Sequence, residues 1–212
     1  MDSRVHPFSR YLASFLLASA AFIVFFAFAY GVAYLNYESI SSHTSLIASS
    51  VEQFEHILVN FSCNPAVHIA ASSRFDLIAS KISLLEKRFG KTDYRLASLK
   101  INYSDLEYRH FLITERFNLE CASDFMTIFF FYSNRNDALE RRSERIGFIL
   151  TALQRTHPDE VMIYSFDADL NSTLVRDLKE RYEIDVVPVV VVNGEEPFVP
   201  RYLAELEAYL DE

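Results

Sequence analysis

Between Tyr11 and Tyr37 the chain carries no charged residue. Tyr11 to Leu35 reads YLASFLLASAAFIVFFAFAYGVAYL, 25 residues. At about 1.5 Å rise per residue, such a helix outspans the ~30 Å hydrocarbon core of a bilayer. Tyr11, Tyr30, Tyr34 and Tyr37 stand near its ends, where amphipathic rings favour the membrane interface. The competing reading is a secretory signal peptide, with Ala18-Ser19-Ala20 as cleavage site. Its apolar region is usually only about 7–15 residues long, and cleavage there would expose Phe22-Ile23-Val24-Phe25-Phe26 as a new N-terminus. We therefore expect an uncleaved anchor at 11–35, with the bilayer as its partner. Arg4 and Arg10 precede it and no Lys or Arg follows until Arg74. The positive-inside rule then keeps residues 1–10 cytoplasmic and sends the rest across the membrane.

Charge divides what remains. Residues 1–121 hold 11 basic and 11 acidic residues, whereas 122–212 hold 9 basic against 18 acidic, the whole net charge of −9. With no Lys/Arg-rich block, nucleic acid is not expected as a partner, because phosphate contacts need clustered cations. With half the residues apolar, disorder is excluded as well.

Residues 38–120 read as helices. Ile47, Val51, Phe54, Leu58 and Phe61 recur in steps of four and three, as do Phe75, Ile78, Ile82, Leu85 and Phe89. Leu96, Leu99, Tyr103, Leu106, His110, Ile113 and Phe117 continue the alternation, the seam of packed helices. Asn64-Pro65 and Gly90 mark the breaks. The expectation is a helical hairpin that props the next domain off the membrane. Its alternative is a coiled coil that forms a homo-oligomer.

Residues 122–212 alternate strand and helix. Met126–Tyr132, Val161–Phe166 and Val186–Val192 read as strands, Asp137–Gln154 and the stretch after Asn171 as helices. Asn193-Gly194 is a hairpin turn, Phe198-Val199 a short returning strand, and Pro200–Leu210 a closing helix. This order, with Val187-Pro188 ahead of Asn193-Gly194, resembles the thioredoxin fold, in which a cis-proline opens the strand before a hairpin. Phe129–Ser133 resembles the strand leading into that family's active-site loop, and Tyr182–Pro188 its approach to the cis-proline. The whole chain more loosely resembles membrane-anchored prokaryotic proteins of this type. The resemblance implies a three-layer α/β/α domain over 122–212 and a peptide-binding groove at Val187 and Pro188.

The thioredoxin active site is Cys-x-x-Cys at the start of the first helix, where the helix dipole activates a thiol. Here Ser133–Ser143 (SNRNDALERRS) contains no cysteine, and a hydroxyl cannot replace a thiolate in disulfide exchange. The resemblance thus implies the scaffold without the dithiol activity, and no catalytic residue or cofactor is assigned. Cys63 and Cys121 are the two cysteines, one at each end of the helical hairpin. In an oxidising compartment they can form a disulfide; the alternative is two separate buried thiols. The histidines lack metal-ligand spacing, and His110 on its seam reads as a hydrogen-bonded core residue. Asp167, Asp169, Glu195 and Glu196 read as solvated turns. Asn60, Asn102 and Asn171 begin N-glycosylation triplets, a pattern that also arises by chance.

The functional expectation is a non-enzymatic module that binds an extended peptide or assembles a complex outside the cytoplasm. The alternatives are an oxidoreductase working through Cys63 and Cys121 or a partner's thiols, and a purely architectural subunit.

Overall fold

The computed structural model describes residues 11–35, 56, 61–91 and 93–210. The chain divides into two compact units, Met1–Ser42 and His43–Glu212. The described part of the first is a helix, α1 (Tyr11–Leu35), with a mean hydropathy of 2.4, long and apolar enough to cross a membrane. The first helical seam, around Ile47 to Leu58, lies outside the described residues.

In the second unit, α2 (Pro65–Phe89) and α3 (Tyr94–Cys121) form the expected antiparallel hairpin. Pro65 sits at the first helical position, where its missing N–H costs nothing. Gly90 turns the chain at φ +95°, a conformation that suits a residue without Cβ. The seam residues Ile78, Ile82 and Leu85 of α2 and Leu96, Leu99, Leu106, Ile113 and Phe117 of α3 are all buried.

The sheet has three strands in the order β2-β1-β3. β1 (Met126–Tyr132) pairs parallel with β2 (Val161–Asp167), from Met126 opposite Val161 to Tyr132 opposite Asp167. β3 (Val189–Val192) runs antiparallel to β1, from Phe131 opposite Val189 to Ile128 opposite Val192. The two-residue strand period sorts the side chains into two cores. Ile128, Phe130, Val190 and Val192 join Ile146, Leu150 and Leu153 of α4 (Asp137–Thr156) and Leu206 of α6 (Ala204–Glu207). Phe129, Phe131, Tyr164, Phe166, Val189 and Val191 join Val175 and Leu178 of α5 (Thr173–Arg181), with Tyr108 and Phe111 of α3 against them. A continuous apolar run such as IFFF is the pattern of a strand covered on both faces.

Three boundaries differ from expectation. β3 begins at Val189 because Pro188 has no N–H to give a ladder. The returning strand reduces to one bridge between Val190 and Phe198, whose backbones exchange hydrogen bonds of 2.8 and 2.9 Å. The closing helix contracts to α6 and a 3-10 turn over Ala208–Leu210. Asn193 and Gly194 adopt φ +49° and +77°, and the Glu195 amide closes the turn onto the Val192 carbonyl at 2.9 Å.

Cys63 and Cys121 are joined as a disulfide, with Cα atoms 5.4 Å apart and a sequence separation of 58. Closing a loop of that length removes freedom from the unfolded chain, worth about 4 kcal/mol on the chain-entropy model. Replacing both cysteines by serine should therefore lower the unfolding free energy of the full chain in detergent by an amount of that order, seen as a lower urea midpoint. An unchanged midpoint would assign the bond no stabilising role.

Candidate functional site

Two places gather candidate functional side chains. The first lies at the C-terminal ends of β1 and β2, where β3 begins. Here Val187-Pro188, joined by a cis peptide bond, packs beside α4 and the segment before α6. A groove of about 480 Å³ runs between them, lined by Ile146, Val186, Val187, Pro188, Val199 and Tyr202 together with Arg142, Arg145 and Arg201. Ile146 and Pro188 are buried and form its floor, while Val186, Val199 and Tyr202 are exposed on its rim. Among the described residues neither the amide nor the carbonyl of Val187 takes a hydrogen-bond partner. An extended backbone could pair there.

The loop between β1 and α4 borders this end of the sheet and is stitched shut by hydroxyls. The Ser143 hydroxyl accepts from the Ser133 amide at 3.1 Å and lies 3.1 and 2.9 Å from the carbonyls of Ser133 and Leu139. Asp169 accepts from the Ser133 hydroxyl at 2.8 Å and from the Asn134 amide at 3.0 Å. Asn136 caps α4 by accepting from the amides of Ala138 and Leu139. This loop holds no sulfur. The disulfide belongs to the other end of β1, where Cys121 ends α3 five residues ahead of Met126. A seven-residue strand separates the two ends by roughly 20 Å.

The second place is where the hairpin meets the edge of β2. Lys100 is buried and ion-paired with Asp167 and, at 3.0 Å, with Glu86; its ammonium also donates to the Lys91 carbonyl at 3.3 Å. Asp167, expected in a solvated turn, is 4% exposed at the end of β2 because this cation compensates it. Asp169 likewise serves the β1–α4 loop, and Arg135 approaches it at 3.0 Å. Burial alone would pull the Lys100 ammonium down, but Asp167 and Glu86 outweigh it and its pKa stands raised. Glu107 accepts the Ser165 amide at 2.9 Å, satisfying a donor on the open edge of β2 that a further strand would otherwise take. Its second oxygen is buried without a hydrogen-bond partner among the described residues. Burial pushes the Glu107 carboxyl well above its ordinary value, against the pull of the Ser165 amide and the Tyr103 hydroxyl. Burial, then Asp167, Glu86 and Glu107, likewise raise the Tyr132 hydroxyl. These groups line a cleft of about 420 Å³ with Phe130, Ile163 and Leu150.

His110 is the buried, hydrogen-bonded core histidine expected from its seam: its Nδ1 lies 2.9 Å from the Tyr164 hydroxyl, which Thr114 meets at 2.9 Å. Among the described residues no cluster of side chains suits a metal ion. Asn171 is exposed, but Ser172 rather than Asn171 caps α5; Asn102 lies half-buried within α3; Asn60 lies outside the described residues. Sequence reading missed the Lys100–Asp167–Glu86 cluster, which joins positions up to 81 residues apart in three elements. The one available signal was a lysine only one position past the seam residue Leu99.

Two outcomes follow from the buried charges. Lys100→Met leaves Asp167 and Glu86 uncompensated and should cost about 3–5 kcal/mol in denaturant unfolding. Glu107 holds its proton in the folded protein at pH values where the unfolded chain, near 4.5, has released it. Its contribution is therefore whole below about pH 4.5 and declines as pH rises toward the raised folded value. Glu107→Gln keeps the acceptor for Ser165 and cannot ionise. Its melting temperature should gain on wild type as the pH rises above about 4.5; parallel profiles would refute the assignment.

No family model and no curated protein matches this chain. Solved structures similar to part of it are thioredoxins. Thioredoxin O2 from Arabidopsis thaliana is 17% identical, with a TM-score of 0.32 over 46% of this chain and 85% of that one. The germline-specific thioredoxin Deadhead from Drosophila melanogaster is 16% identical, with a TM-score of 0.32 over 48% of this chain and 91% of that one.

Proposed function

We propose that this is a single-pass membrane protein whose C-terminal part is a three-layer, thioredoxin-like binding module, displayed outside the cytoplasm and working without dithiol chemistry. The observation that carries it is the conjunction at one end of the sheet. An apolar groove and an unpaired Val187 backbone lie beside a first-helix loop that has no cysteine. The strand order, the antiparallel β3 and the Asn193-Gly194 hairpin support the scaffold reading. The 25-residue α1, with Arg4 and Arg10 ahead of it and the next cation at Arg74, supports anchoring with an outward C-terminal part. A disulfide between Cys63 and Cys121 suits an oxidising compartment.

The occupant of the groove is an extended polypeptide that adds its backbone beside Val187 and lays alternate side chains against Val186, Val199 and Tyr202. The oxidoreductase reading has one observation in its favour, the exposure of Cys63. Against it stands the placement of the bond at the strand end remote from the groove.

The full chain in detergent, probed with an array of extended peptides, should retain a subset. Val199→Asp, at an exposed rim position, should weaken those spots by about tenfold, the scale of one lost interface contact. Retention indifferent to Val199→Asp would remove the groove from the function. In an insulin-reduction assay the same protein should show no turnover, and turnover abolished by Cys63→Ser would restore the enzymatic reading.

A further inference from the structure

The groove is electrostatically unlike the domain that carries it. Residues 122–212 hold twice as many acids as bases. Yet the lining of the groove includes Arg142, Arg145 and Arg201 and no carboxylate. The three are exposed, and none forms an ion pair among the described residues. Three like charges around one opening repel each other, and nothing in the fold requires them there.

The arrangement follows from how α4 distributes its charge. Successive residues of a helix turn by about 100°, so Glu140 and Glu144 share one face while Arg142 and Arg145 share another. The acids are occupied: Lys91, on the turn of the helical hairpin, meets Glu140 at 2.7 Å and Glu144 at 2.9 Å. That leaves the arginine face, over the floor residue Ile146, turned to the groove. Arg201 arrives from the opposite wall. The nearest acid in sequence to it, Glu205, accepts the Arg201 backbone amide at 2.8 Å and does not line the groove.

We propose that the groove selects an acidic extended segment of a protein partner, one that alternates Asp or Glu with apolar residues. This rests on the reading of the groove as a peptide site and narrows its occupant. The alternation follows from strand geometry. Along an extended chain successive side chains point to opposite sides. One set can fill the apolar floor and rim at Ile146, Val186, Val199 and Tyr202, while the other presents carboxylates to the arginine forks. Guanidinium groups suit this role because each offers paired donors to a carboxylate. The apolar floor is what favours such a segment over a bare polyanion.

The test uses the full chain in detergent, poly-glutamate as a control, and three fluorescent peptides of about eight residues, long enough to span the groove. They alternate valine with glutamate, serine or lysine. Binding is followed by anisotropy at about 50 and about 300 mM salt, concentrations that bracket the range over which exposed charges become screened. The Glu–Val peptide should bind at least tenfold tighter than Ser–Val at low salt, and Lys–Val weakest of all. The advantage should shrink at high salt. Arg142→Glu with Arg145→Glu, both exposed, should reverse the order of Glu–Val and Lys–Val, a result that simple loss of fold cannot produce. Equal affinity of Glu–Val and Ser–Val, unmoved by the charge reversal, overturns the acidic preference while the peptide groove stands. Binding of poly-glutamate as tight as Glu–Val overturns it in favour of unspecific anion attraction. Binding of none of the peptides overturns both the preference and the groove.

Discussion

A strand of uninterrupted bulky apolar residues is stable in water only when both its faces are covered. β1 is such a strand, and the rest of the C-terminal unit answers that requirement. Phe129 and Phe131 need α5 and α3 on one side, Ile128 and Phe130 need α4 and α6 on the other. Each buried side chain of this size is worth about 1.5–3 kcal/mol, so one uncovered face would be a large deficit. Flanking β1 by a parallel and an antiparallel neighbour places the strand centrally. That arrangement brings the Val187-Pro188 turn and the start of α4 together at one end.

The open edge of β2 poses a second problem, and the helical hairpin solves it. Glu107 supplies an acceptor for the Ser165 amide, and Lys100 draws Asp167 and Glu86 together across three elements. α3 is therefore part of the same packed body as the sheet, and its seam residues are used within the chain. The ion cluster is weak evidence for net stability, because burying charges consumes much of what their attraction returns.

The groove end gains from this rigidity. With the β1–α4 loop tied by Ser133, Ser143 and Asp169, the groove is formed on a fixed frame. A preformed groove spends little free energy on ordering when it binds. The charge segregation along α4 then gives the groove a sign opposite to its surroundings. On the proposed reading, an attractive site on a repellent surface would favour acidic segments that also carry apolar residues.

Local patterns carried much of this in the sequence. The uncharged run at Tyr11–Leu35, the steps of three and four along α2 and α3, the IFFF and VVVV runs and the Asn-Gly turn each encode their element. Each depends only on a residue's near neighbours or on the period of its own helix or strand. The shortening of β3 was also implicit, since proline has no amide to contribute. What the tertiary structure alone decided was every pairing between distant positions. Asp167 reads as a loop acid until Lys100, 67 residues away, lies against it. Glu107 meets the Ser165 amide across 58 positions, a contact with no local signal. Arg142, Arg145 and Arg201 come around one opening only because two walls of the groove meet there. Apolar burial is periodic and so leaves a trace along the chain. A charge-to-charge contact is a single point in space, and the sequence holds no mark of which two points will meet.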